Sequence, residues 1–257
     1  MIANVPSGLW RNAVLACVGC IVASVAAVRA QQGGIAEFTV NDPRPLAAAI
    51  VELERRYGWQ VTYEDPQYEF VADVTDVTLA VRNDGNISKR VIIPAGGHFA
   101  FRYSLPSTAQ PNPNFVLAQL LEAYHDSTSS ARFRMIRTGS VFHVVPVQSN
   151  DASGLLKDRD SRLERTITVA GGRRLSEVLQ DALKAASTAD GELMLGAAPL
   201  GLLTSTRIPA GTIKGTTRDV LVNLLSATGR PLSWQLFCQP QTTMCFVNLH
   251  VVERSGP

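Results

Sequence analysis

Four histidines, His98, His125, His143 and His250, are the side chains best able to bind a metal or carry a proton near neutral pH, and their spacing forms no ligand set. His143 and His250 fall in apolar, strand-forming runs, where a hydrogen-bonded structural histidine is expected. Two acidic groups, Glu64-Asp65 with Glu69 and Asp73 with Asp76, offer paired carboxylates for acid–base work or for a calcium ion. They lack regular ligand spacing and read as a solvated loop after a strand. No Gly-x-Ser-x-Gly elbow and no phosphate-binding loop occurs. The glycine pairs at 33–34, 96–97 and 171–172 lack the third glycine of a dinucleotide site and read as bends. The sequence thus offers no expected catalytic residue, cofactor-binding residue or metal ligand, and the expected class is a non-enzyme without a cofactor.

Cysteines and aromatics say more. In "SWQLFCQPQTTMCFVNLHVV", strand formers flank a polar turn and place Cys238 and Cys245 near the closed end of a hairpin, so an oxidising compartment would join them as a disulfide. In "HFAFRYSL", Phe99, Phe101 and Tyr103 alternate around Arg102, which predicts a strand with one aromatic face. Such a strand either accepts a partner by β-augmentation at the edge formed by Phe99, Phe101, Arg102 and Tyr103, or turns its aromatic face onto the protein's own helices. An alternative is a small-molecule or carbohydrate pocket lined by Trp59, Tyr63, Phe99 and Tyr103. Trp59 and Trp234 otherwise read as packing residues.

Residues 1–30 have the features of an export leader. Arg11 precedes the apolar run "NAVLACVGCIVASVAAV", and Val28-Arg29-Ala30 supplies small residues for cleavage after Ala30. Uncleaved, it would be an anchor; cleaved, it leaves a periplasmic or secreted chain with no membrane-inserting segment. The leader holds two arginines and no acid, so 24 basic residues become 22 against 22 acidic ones. A mature charge near zero argues against a nucleic-acid or anionic-lipid surface.

The elements that would position these residues come in two sets. "PLAAAIVELERRYG" sets Leu46, Ile50, Leu53 and Tyr57 on one helical face between the strands "EFTV" and "WQVTYED". Asp42-Pro43 offers a cap before it, and Gly58 a stop. "PNFVLAQLLEAYHDS" is a second helix, preceded by a strand broken at Pro94 and Gly96-Gly97 and followed by a hairpin. Polar residues 148–164 read as a linker. The programme then restarts, with helices in "RRLSEVLQDALKAAS" and "TTRDVLVNLLSATG", a capping box at Thr216 and Asp219, and a closing hairpin. Ile93-Pro94-Ala95-Gly96 and Ile208-Pro209-Ala210-Gly211 occupy corresponding places, and the expectation is an internal repeat: modules at 36–147 and 165–254. The fold class is α+β, as two tandem βαβ-βαβ(β) modules, each with two helices packed on small mixed sheets.

Leu46, Ile50, Leu53, Gly58, Val61 and Tyr63 in the first module, and Leu224, Leu225, Thr228, Gly229, Leu232 and Trp234 in the second, resemble the secretin and TonB N-terminus short domain. These are core and turn positions, and the first module has His125-Asp126-Ser127 where the family pattern has Thr-Gly. The resemblance implies a non-catalytic interaction or adaptor protein of the bacterial cell envelope. Its implied partner is an envelope protein: a secretin, a TonB-dependent receptor or an associated component.

Overall fold

A computed structural model describes residues 34–81, 90–106, 110–188 and 191–253; the expected leader, with Cys17 and Cys20, lies outside them. The first half runs β1 (Ile35–Asp42), α1 (Pro45–Tyr57), β2 (Val61–Glu64), a 3-10 turn at Val71–Asp73, β3 (Val74–Asp76), α2 (Thr78–Val81), β4 (Ile92–Pro94), β5 (Gly97–Ser104), α3 (Pro113–Ser127), β6 (Ala131–Thr138) and β7 (Val141–Asn150). β8 (Leu156–Asp158) and a 3-10 turn at Arg162–Glu164 follow. The second half is β9 (Thr166–Ala170), α4 (Leu175–Ala186), β10 (Glu192–Leu195), α5 (Leu200–Ser205), β11 (Thr212–Thr216), α6 (Thr217–Ser226), β12 (Leu232–Cys238) and β13 (Met244–Val251).

Local chemistry fixes the helix starts. The Asp42 carboxylate accepts the Arg44 N–H at 2.7 Å, and Pro45 stands in the first turn of α1. Asn112 caps α3 by accepting the Asn114 N–H at 2.9 Å, and Thr216 caps α6 by accepting the Asp219 N–H at 3.1 Å. Gly58, at φ 70°, ends α1 in the left-handed conformation that glycine adopts without steric cost.

The α+β class holds, with a different distribution of strands. Each half has a two-stranded antiparallel ribbon, β1–β5 and β9–β11. The remaining major strands, expected in separate small sheets, join in one seven-stranded sheet of order β10-β13-β12-β2-β7-β6, with β8 on β7. β2 pairs parallel with β7 as β10 does with β13, and the halves meet where β12 lies parallel to β2. In strand order and direction one half maps onto the other by a half-turn about an axis across the sheet and a shift of three strands. The two cores therefore fall on opposite faces. One gathers Leu46, Ile50, Val61, Phe101, Leu117 and Val144; the other gathers Leu179, Leu193, Leu221, Trp234, Leu236 and Val247.

The IPAG turns close the ribbons. Asp42↔Gly97 ends the first, and the Gly171 N–H donates to Gly211 O at the same end of the second. Gly97 and Gly211 share positive φ, 136° and 145°, so the structural match runs one residue past the letter match. The stretch 148–164 is not a free linker. β7 continues through Asn150, β8 folds back on it, and Leu163 is buried in the second core.

Candidate functional site

β5 carries the expected partner-binding residues. Phe99, Phe101 and Tyr103 are buried in the first core, stacked along the strand at 6.5 and 5.0 Å between ring centroids, with Phe38 edge-on to Phe101. Their aromatic face thus covers the protein's own helices and is not presented to a partner. Arg102 is exposed and pairs with Glu37 across the ribbon at 2.9 Å.

The backbone of β5 presents a different surface. The Leu105 N–H donates to Gly34 O at 2.7 Å, so residues 99, 101 and 103 direct their backbone groups at β1. The alternation then turns the N–H and C=O of Ala100 and Arg102 outward. No strand among the described residues pairs with that side of β5, although the strand is eight residues long.

At the start of β5 a cleft of about 350 Å³ opens between the turn at Pro94–Gly97, the start of α1, the end of α3 and the loop at Pro66–Asp73. Tyr63, Tyr68, Phe70, Phe99 and Tyr124 supply its aromatic lining. Of the four residues expected in a pocket, Tyr63 and Phe99 are here, whereas Trp59 stacks on Tyr57 at 4.6 Å and Tyr103 donates to or accepts from the Tyr57 hydroxyl at 2.7 Å. Asn150 Nδ2 donates to the Asp73 carboxylate at 3.1 and 3.3 Å within the cleft wall. Burial pushes the Asp73 carboxyl up, against the downward pull of that hydrogen bond. Burial also raises the phenols of Tyr63 and Tyr68, and takes Tyr124 up to about 12.

Of the acidic residues expected in a solvated loop, Glu69 and Asp76 are exposed, whereas Glu64 and Asp65 are not. Glu64, the last residue of β2, and Asp65, the residue after it, are buried, and as consecutive residues of extended chain they serve opposite faces of the sheet. Glu64 Oε1 accepts from Arg218 Nε at 3.0 Å and Nη2 at 2.8 Å, Ser161 Oγ donates to Glu64 Oε2, and Arg218 Nη1 reaches Glu164 at 2.8 Å. Asp65 Oδ2 accepts from Arg44 at 2.7 Å and from the Cys238 N–H at 2.9 Å. Burial pushes both carboxyls up, and the guanidiniums oppose it. Glu69 pairs with Arg159 at 2.8 Å, and Asp76 accepts from Thr78 N at 2.9 Å and pairs with Arg90. No cluster of three or more His, Cys, Asp or Glu able to hold a metal occurs among the described residues.

The histidines are dispersed. His98 lies on the cleft rim. His125 Nε2 accepts the Phe133 N–H at 2.9 Å. His143 is buried against Trp234, with Nδ1 2.7 Å from Thr62 Oγ1 and no partner for Nε2 among the described residues; burial first, and Arg218 next, push it down to about 4. His250 Nε2 lies 2.9 Å from Glu54 on α1, one of several contacts by which that helix grips the second half's strands. Arg44 Nη2 donating to Cys238 O at 3.0 Å is another.

Cys238 and Cys245 form a disulfide across directly paired positions of the β12–β13 hairpin, with Cα atoms 4.0 Å apart. No helix of the described residues is long and apolar enough to cross a membrane. No family model matches the chain, and no curated protein or solved structure matches it.

Sequence reasoning missed Arg218 and the cleft. Arg218 follows the helix cap and carries no signal of burial, since its partner stands 154 positions away. The cleft draws on six separate segments, so no local spacing marks it.

Proposed function

We propose that the chain is an exported, non-catalytic interaction module of the bacterial cell envelope, built by internal duplication, that takes up an extended segment of an envelope protein on the open edge of β5. Its partner is a secretin, a TonB-dependent receptor or an associated component. The reading rests on one observation above all: an eight-residue strand whose outward N–H and C=O groups have no strand beside them among the described residues. Side chains on the inner face hold that strand rigid, so the edge is ready for a partner without reordering. The matching connectivity of the two halves and the resemblance of their core positions to a secretin and TonB short domain support the duplication and the compartment.

The test is capture of the tagged chain, cross-linked in its native envelope, followed by identification of the recovered proteins. Stoichiometric recovery of a secretin, a TonB-dependent receptor or their inner-membrane partners is expected. Arg102→Pro removes an outward N–H and leaves the bonds to β1 in place, so the fold survives while capture falls at least about tenfold, the equivalent of one to two hydrogen bonds. Undiminished capture by a folded Arg102→Pro protein overturns the β5 assignment.

A further inference from the structure

We propose that the cleft at Pro94–Gly97 is a binding site for a neutral, hydroxyl-rich ring, a hexose unit of a glycan. Its volume of about 350 Å³ sits at the small end of the roughly 300–1,000 Å³ usual for small-molecule sites.

Charge selects the class. Among the described residues the one guanidinium on the wall is Arg44, which is spent on Asp65 and on Cys238 O, so it has little left for an anion. Among the described residues the one carboxyl facing the cleft is Asp73, and both of its oxygens already accept from the Asn150 amide. A cationic ligand would lose its hydration and meet Arg44 on the same wall, with a carboxylate opposite that is already hydrogen-bonded to Asn150. A neutral ligand meets neither penalty.

Hydrogen-bonding capacity narrows it further. Asn150 has given its amide N–H to Asp73, which leaves its carbonyl oxygen and the free lone pairs of Asp73 side by side as acceptors. The phenols of Tyr63, Tyr68 and Tyr124 stay protonated, because burial holds each above its ordinary value; the Tyr68 hydroxyl is already hydrogen-bonded to Asp65 and that of Tyr124 to Ser130, which leaves Tyr63 as the hydroxyl able both to donate and to accept. Tyr63 makes no hydrogen bond with its hydroxyl to any described residue. Paired acceptors next to a hydroxyl that both gives and takes suit adjacent ring hydroxyls. Phe70, Phe99 and the proline rings at 43, 45, 66 and 94 supply the flat apolar surfaces that the C–H face of a sugar ring covers.

The experiment titrates the purified protein with maltose, cellobiose and N,N′-diacetylchitobiose, and with choline chloride as a cationic comparator, following tyrosine ring signals by NMR and heat by calorimetry. At least one saccharide is expected to bind saturably and shift Tyr124 and Tyr63 together. Asp73→Asn weakens that binding about tenfold, and Tyr63→Phe, which keeps the ring and removes a hydroxyl with no described partner, weakens it with unchanged thermal stability. Arg102→Pro leaves it unchanged, so the glycan site and the β5 edge succeed or fail separately. No saturable response to any of the three saccharides overturns the proposal, as does choline binding more tightly than all of them.

Discussion

Replacing Arg218 with Met tests how the two halves are held together. The side chain is 3% exposed and its partner Glu64 1%, so the substitution keeps the length and apolar contacts of the arginine stem and removes a charge from a dry site. Glu64 then retains Ser161 as its donor, and three guanidinium hydrogen bonds to the two carboxylates are lost. Stranding a buried charge in this way costs about 3–5 kcal/mol, a large part of a typical stability of roughly 5–15 kcal/mol. Urea unfolding near neutral pH reads the loss directly. Its pH dependence has a definite sign. Burial already raises the Glu64 carboxyl with Arg218 present, and without it the folded value rises further. The folded variant then holds a proton that the unfolded chain releases above about 4.3. Its stability therefore recovers as pH falls from the raised folded value toward that point. Glu64→Gln in the same chain removes the stranded charge and restores most of the loss, giving a coupling above about 2 kcal/mol in the double-mutant cycle. A loss under about 1 kcal/mol for Arg218→Met, or equal losses with and without Glu64→Gln, would refute the reasoning.

His143, held down to about 4 in the fold against about 6.5 unfolded, is neutral in both states above that upper value. Below it the unfolded chain gains the proton first, so roughly 3 kcal/mol of stability is lost as pH falls from about 6.5 to 4; His143→Gln should flatten that slope in acid-unfolding curves. A chain beginning at residue 31, without Cys17 and Cys20, should show no thiol to Ellman's reagent in denaturant, and Cys238→Ser with Cys245→Ser, opening a loop of sequence separation 7, should lower stability by about 2.5 kcal/mol; two titratable thiols in that chain would remove the bridge. Gly211→Ala at φ 145° should destabilise by about 1–3 kcal/mol, whereas Gly201→Ala on α5, with open space around the new methyl, should be neutral or stabilising by up to about 1 kcal/mol. Equal effects of the two in thermal melts would contradict the assigned backbone geometry.

The helices were legible because a 3.6-residue period survives without knowledge of tertiary contacts. Leu175, Val178, Leu179, Ala182, Leu183 and Ala186 all lie buried on one side of α4. The Cys238–Cys245 hairpin was legible because its turn is local. What alternation cannot give is direction: "HFAFRYSL" specifies that one face of β5 is aromatic, not whether that face looks in or out. Long-range charge pairing is equally silent. Glu64 and Asp65 have loop composition and become core residues only because Arg218 and Arg44 reach them from two different helices. The β2–β12 joint has only two paired positions, Gln235↔Tyr63 and Leu236↔Glu64, too short to leave any pattern in either strand.

That joint also bears on where a partner binds. A half-turn combined with a shift is an open operation, so repeated copies would extend the sheet indefinitely from its two ends, β6 and β10. Both ends are blunted. The outward Phe133 N–H of β6 is taken by His125 Nε2 at 2.9 Å, and Arg132 and Arg134 line the same strand. The outward Leu193 N–H of β10 is taken by Ser187 Oγ at 2.8 Å. The acids that seal the β2–β12 joint, Glu64 and Asp65, have Gly196 and Ala197 as their counterparts after β10, so a further copy arriving there would find no carboxylate for its arginines. The main sheet thus closes itself to addition by chemistry where its symmetry leaves it open. β5 carries no such cap on its outward Ala100 and Arg102 groups among the described residues, and the difference between guarded and unguarded edges is what favours the ribbon over the sheet as the docking strand.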